Sequence, residues 1–154
     1  MAVSRSLQRL FEVRGLEEEL SQAALEEAIG NLRRLEAALQ AAEERERYGR
    51  RHVSASAASA DAADRIAGLE EMRAASRQAK ALKPRIEEIE AEVAARRAKF
   101  LGKRMERRQV ETLIRKIETA NARVAGRRAQ RETDDWFLRG AGRAVSAGGA
   151  VEKS

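Results

Sequence analysis

A heptad rhythm in the second half of the sequence constrains this chain more than any other feature. With Met72 at position a, the a and d positions are Met72, Ala75, Ala79, Leu82, Ile86, Ile89, Val93, Arg96, Phe100, Lys103, Arg107, Val110, Ile114, Ile117, Asn121 and Val124. All are Ala or larger apolar residues except Arg96, Lys103, Arg107 and Asn121. An apolar seam recurring every ~3.5 residues over about seven heptads specifies a coiled coil. Three of the four exceptions fall between 96 and 107, where Leu101 and Met105 lie off the seam. This predicts a local phase shift there, or a segment whose partner lies elsewhere.

The first half carries a weaker version. Leu25, Ala28, Leu32, Leu35, Leu39 and Ala42 hold a/d spacing. Leu7, Leu10, Val13, Leu16 and Leu20 run at threes and fours but out of that register, so a stutter is expected near Ser21 to Ala24. The seam fades after Tyr48. Gly49 reads as a breaker, and a Ser/Ala run ends at Asp61, a good N-cap. The reading is therefore all-α: a long antiparallel two-helix coiled-coil hairpin over 1–139. It has a helix over 5–52, a turn over 53–60 and a helix over 61–139, roughly 70 and 115 Å long. Pro84 predicts a kink within the second helix. The unequal lengths leave Val110 to Arg139 overhanging the first helix. Residues 140–154, with Gly140, Gly142, Gly148 and Gly149, are expected to form a disordered tail.

Composition supports the helical reading and narrows the chemistry. Aromatics are 3% and charged residues 36% of 154 residues, so bulky apolar side chains suffice for a narrow seam and not for a globular core. With Cys absent, no disulfide or thiolate site is possible. No apolar run is long enough to span a bilayer, and the first eleven residues lack a secretory apolar stretch, so a cytoplasmic protein is expected. His52 is the sole histidine and sits between arginines and the turn, which argues against a metal or catalytic role. Neither a Gly-rich phosphate loop nor a concave pocket for perturbed carboxylates is visible, so no enzyme, cofactor or small-molecule ligand is expected.

The net charge is +6, and the excess is local: Lys99 to Arg131 holds eleven Lys or Arg against three acids. This basic stripe, including Lys103, Arg104, Arg107, Arg108, Arg115, Lys116 and Arg123, would suit an acidic partner or stand as a solvated face. Trp136, the sole Trp, follows Asp134 and Asp135 and precedes Phe137. It would either pack on Leu7, Leu10 or Phe11 or stand exposed as a partner hot spot. A generic homodimeric coiled-coil scaffold and a basic-helix nucleic-acid binder are the alternatives. Against nucleic acid, the seam residues Val110, Ile114, Ile117 and Val124 run through the basic segment, whereas a zipper-type reader keeps the two apart.

The opening Leu7-Gln-Arg-Leu10-Phe-Glu-Val-Arg14 with Glu17-Glu18-Glu19 resembles the start of the FliJ/YscO family, coiled-coil stalk proteins of flagellar and virulence type III export machines. The ending Arg127-Arg-Ala-Gln130-Arg131-Glu-Thr-Asp134-Asp135 resembles the family's closing pattern, and Glu106 to Ile114 is similar to the stretch before it. Thr133 stands where the family usually carries an apolar residue. The resemblance implies a non-enzymatic central stalk that inserts, termini first, into the hexameric export ATPase ring. It also implies a contact with the cytoplasmic domain of the export gate, the handling of export chaperones, and a place at the cytoplasmic face of the inner membrane. It assigns ATPase binding to Arg127, Gln130, Arg131, Asp134, Asp135 and Trp136, and gate binding to Leu39, Ala42 and Tyr48. Asp134-Asp135-Trp136 and Gln109-Val110-Glu111 lean toward the virulence branch.

Overall fold

The computed structural model describes residues 2–59 and 61–148. The chain is all-α, with α1 spanning Arg5–Ser59 and α2 spanning Ala62–Gly148, and no strand occurs among the described residues. Both helices start on side-chain caps. The Ser4 hydroxyl accepts from Leu7 N at 3.2 Å. Asp61, the expected cap of α2, accepts through Oδ1 from Ala63 N at 3.1 Å and Asp64 N at 3.3 Å. Each cap satisfies amide donors that the first helical turn leaves without partners.

The expected turn over 53–60 is corrected, since 53–59 continue α1. Ala is the strongest helix former, and the serines turn their hydroxyls back on the helix. Ser54 Oγ donates to Arg50 O at 3.2 Å, and Ser56 Oγ donates to His52 O at 2.9 Å. At the other end α2 runs through Gly148, so 140–148 of the expected tail are helical, while 149–154 lie outside the described residues. α2 also passes through Pro84 as one helix.

The chain divides into two compact units, Arg14–Met105 and Met1–Val13 with Glu106–Ser154. The first is an antiparallel hairpin. Lys103 Nζ lies 3.5 Å from Glu17, Arg96 Nη1 donates to Ala24 O at 2.7 Å, and Arg45 Nε donates to Glu71 at 2.7 Å. Partner numbers on α2 thus fall as those on α1 rise. Its core is thin: Leu25, Ala28 and Val93 form one buried cluster with Ile29, Leu32, Ile89 and Phe100 against it. Ala42, Ala75, Ala79, Leu82 and Ile86 extend the buried line.

Gly49 is no breaker, because it is buried at a close approach of the two backbones. A Cβ there would lie 3.0 Å from both Gly68 O and Met72 N. The seam does not fade at this end; it narrows to Gly49, Ser56 and Gly68, all buried.

Burial follows one heptad phase across both supposed interruptions. Every a and d position from Met72 to Asn121 is buried or half-buried, Arg96, Lys103 and Arg107 included, while Leu101 and Met105 are exposed. No phase shift occurs at 96–107. On α1 the register of Leu25 continues upstream through Ser21, Glu18, Arg14, Phe11 and Leu7, all buried or half-buried. Leu10, Val13, Leu16 and Leu20 are exposed, so the expected stutter is absent. Long cations can hold seam positions because their aliphatic stems pack while their charged ends reach partners. Arg96 does so with the Ala24 carbonyl, Glu27 at 3.7 Å, and Glu92.

The second unit has a smaller core. Val110 is buried, and Leu7, Phe11, Ile114, Ile117 and Asn121 are half-buried. The Arg107 guanidinium carbon lies 5.9 Å from the Phe11 ring centroid, within cation–π reach.

Candidate protein-docking surfaces

From Ala122 to Arg143 every residue of α2 is exposed, so the uncovered stretch starts at 122 and not at the expected Val110. Arg127, Gln130, Arg131, Asp134, Asp135 and Trp136 all lie on it. Gln130 Nε2 donates to Asp134 Oδ1 at 2.9 Å, fixing one carboxylate of the acidic pair. Thr133 is exposed and returns its hydroxyl to Ala129 O at 2.9 Å, so the position where an apolar residue was expected buries nothing.

Trp136 does not pack on Leu7, Leu10 or Phe11: its exposure is 70%, with Phe137 at 62% and Leu138 at 71%. The Trp136 and Phe137 rings meet edge to face at 5.1 Å. Glu132, Asp135, Trp136, Arg139, Gly140 and Arg143 line an open concavity at this level. Phe137 and Leu138 belong with Trp136 by exposure and adjacency. The run of three large apolar residues was their signal in the sequence.

The basic stripe separates into two kinds of residue. Lys103 and Arg107 point into the seam, Lys103 toward Glu17 and Arg107 over Phe11. Arg115 bonds Glu111 at 2.6 Å. Arg104, Arg108, Lys116 and Arg123 are exposed. Thr112, Arg115, Lys116, Thr119, Ala120 and Arg123 line a shallow groove.

In the hairpin unit, Ala42 is 1% exposed and belongs to the helix–helix seam, and Leu39 is half-buried on the same seam. Tyr48 is 62% exposed and stacks on His52, ring centroids 6.1 Å apart and nearly parallel. Of the three residues assigned to gate binding, Tyr48 alone presents most of its side chain outward. Beside it stand Arg47, Arg50 and Arg51, all exposed.

Glu17 and Arg45 have displaced titrations, each through an ion pair. The Arg14 guanidinium, bonded to Glu17 at 2.7 Å, holds that carboxyl below its usual value, with Lys103 adding to the effect. The Glu71 carboxylate raises Arg45 in the same way. Among the described residues no group of three or more His, Asp or Glu is placed to hold a metal ion. No helix among them is long and apolar enough to cross a membrane.

A buried heptad seam closed by an antiparallel hairpin, followed by a bare helical stretch with the Arg-Gln-Arg and Asp-Asp-Trp residues on its surface, matches the resemblance read from the sequence. The family model described as flagellar FliJ protein matches residues 4–146. The chain belongs to the FliJ family. The match spans both helices and takes in the uncovered stretch with Trp136. The FliJ family is a family of non-catalytic components of flagellar or type III export. No curated protein and no solved structure matches the chain.

Proposed function

We propose that this FliJ-family chain is the central stalk of a type III export ATPase. The bare stretch of α2 enters the hexameric ring, and the hairpin carries the contact with the cytoplasmic domain of the export gate. The observation that carries the reading is the exposure of all of 122–143, with Trp136, Phe137 and Leu138 uncovered beside Arg131 and Asp135. Three large apolar side chains in water have no folding role, and Trp and Arg are the residues that most often anchor interfaces. The exposed cations Arg108, Lys116 and Arg123 suit an acidic ring lumen.

Tyr48 is the hairpin's gate contact, supported by its exposure and its preorganised stack on His52. Handling of export chaperones, and a working place at the cytoplasmic face of the inner membrane, follow from that assembly. Of the two machines the flagellar one has the better support, because the matching family model is the flagellar one; the virulence reading rests on two short motifs.

The test is the double variant Trp136→Ala, Arg131→Ala titrated against the export ATPase. Loss of a central aromatic–Arg anchor costs on the order of 2 kcal/mol, about thirtyfold in affinity. Helicity and melting temperature should stay unchanged. An unchanged affinity would contradict the placement of the ATPase contact. Tyr48→Ala should lower export from a folded protein, and normal export would remove the gate contact.

A further inference from the structure

Three exposed arginines sit within five residues of α1, on the hairpin unit. Arg47, Arg50, Arg51 and Ser54 line one shallow concavity. Arg50 is held by Glu46 at 2.8 Å. Arg47 and Arg51 have no ion pair or side-chain hydrogen bond among the described residues. Elsewhere in this unit the cross-helix arginines lie against carboxylates: Arg45 on Glu71, and Arg96 on Glu27 and Glu92. Like charges one turn apart on a helix, as at 47 and 51, weaken it. The fold therefore gains nothing from this pair. An aromatic stack, Tyr48 on His52, is interleaved with it in sequence.

We infer that Arg47 and Arg51, with Arg50 and Ser54, form a docking site for a short acidic peptide segment of a partner protein. Guanidinium groups bind carboxylates through two parallel hydrogen bonds, and two of them one helical turn apart read two acidic side chains at matching spacing. The exposed Tyr48 ring supplies an apolar contact beside them. The patch is narrow. Glu43, Glu44 and Glu46 precede it along the chain, and Asp61 and Asp64 follow it. A plane of anionic lipid or a continuous phosphate backbone would also meet those carboxylates, whereas a single peptide segment need not. The inference deepens the gate reading, resting on it only in taking the Tyr48 region as a contact surface.

The experiment uses the full chain and a short fluorescent Glu-rich peptide, followed by anisotropy at low and high salt. Wild type should bind, more weakly at high salt. Arg47→Gln with Arg51→Gln should reduce affinity about tenfold, as loss of charge-assisted bidentate contacts does. Arg73→Gln with Arg77→Gln, exposed and one helical turn apart on α2, should leave it within about twofold, the scale of a rim charge. Circular dichroism should show both variants fully helical. Equal loss in the two double variants, or none at 47 and 51, overturns the inference. So does binding of phosphatidylglycerol vesicles or single-stranded DNA through Arg47 and Arg51 when the peptide fails to bind. If Tyr48→Ala exports normally while peptide binding still requires Arg47 and Arg51, the gate reading fails and the acidic-peptide site stands.

Discussion

Residues 106–121 and 122–143 belong to one helix and one compact unit, and both are rich in arginine, yet the first is covered and the second is bare. Spacing makes the difference, not apolar content. Val110, Ile114 and Ile117 recur at fours and threes and so share one face, which is buried or half-buried. Trp136, Phe137 and Leu138 are consecutive, about 100° apart around the helix, and no single partner helix could cover all three. A seam builds the fold; a girdle of large side chains after the seam ends is left for something else.

The contrast is sharpest for a charge placed on each side of it. Val110→Asp should destabilise the protein by about 3 kcal/mol, since it puts a carboxylate on a buried seam position. Trp136→Asp should change stability by no more than about 0.5 kcal/mol, as surface substitutions do. Denaturant titration of both variants checks this, and equal losses would erase the distinction.

The next largest effect concerns the narrow end of the hairpin seam. Gly to Ala inside a helix normally stabilises by about 1 kcal/mol. Gly49→Ala should instead destabilise by about 1–2 kcal/mol, because its methyl would press on the α2 backbone at Gly68 and Met72, where no side chain can yield. A gain in stability would mean that the helices are not this close.

A smaller effect of opposite sign is expected at Arg96. Its seam position is only half-buried, and the Ala24 carbonyl that accepts from it is a helical one. Arg96→Leu should stabilise the hairpin by roughly 1 kcal/mol, as replacing partly buried charge with packed apolar surface often does. A marked loss would make the arginine a required part of the seam.

The smallest effect is on the acid side of the stability profile. Glu17 titrates lower in the folded chain than unfolded, because the Arg14 bond favours its carboxylate, with help from Lys103. The stability it adds is present above the ordinary carboxylate range and is lost as pH falls through its lowered folded value. Glu17→Gln should flatten that part of the acid limb and leave neutral-to-alkaline behaviour unchanged; an unaltered acid limb would discount the pair.

Much of this was legible in the sequence. The α2 register anchored on Met72 predicts burial position by position up to Asn121, and Asp61 caps α2 because few residue types can accept amide bonds at a helix start. What the sequence misleads about are seam positions without large apolar residues. Arg96, Lys103 and Arg107 suggest a phase shift, Ser21 and Glu18 a stutter, and Gly49 a break, yet each is buried or half-buried in the heptad phase of its own helix. An apolar pattern cannot register a stem that packs while its charge reaches out, or a glycine that lets two backbones touch. Leu16 and Leu20 mislead in the other direction, as leucines that face water. At the candidate sites, residue type alone could not separate Ala42, which closes the hairpin, from Tyr48, which faces outward. It also could not decide the exposure of Trp136, since that depends on where α1 begins relative to α2.

The central claim is that α2 beyond Ala122 serves partner binding and not folding. Its most direct test is size-exclusion chromatography with light scattering, using the export ATPase mixed with either the full chain or a chain ending at Ala122. The full chain should co-migrate with the ATPase hexamer, and the shortened chain should keep its melting temperature while eluting apart from it. A shortened chain that still co-migrates, or one that loses its fold, would contradict the account.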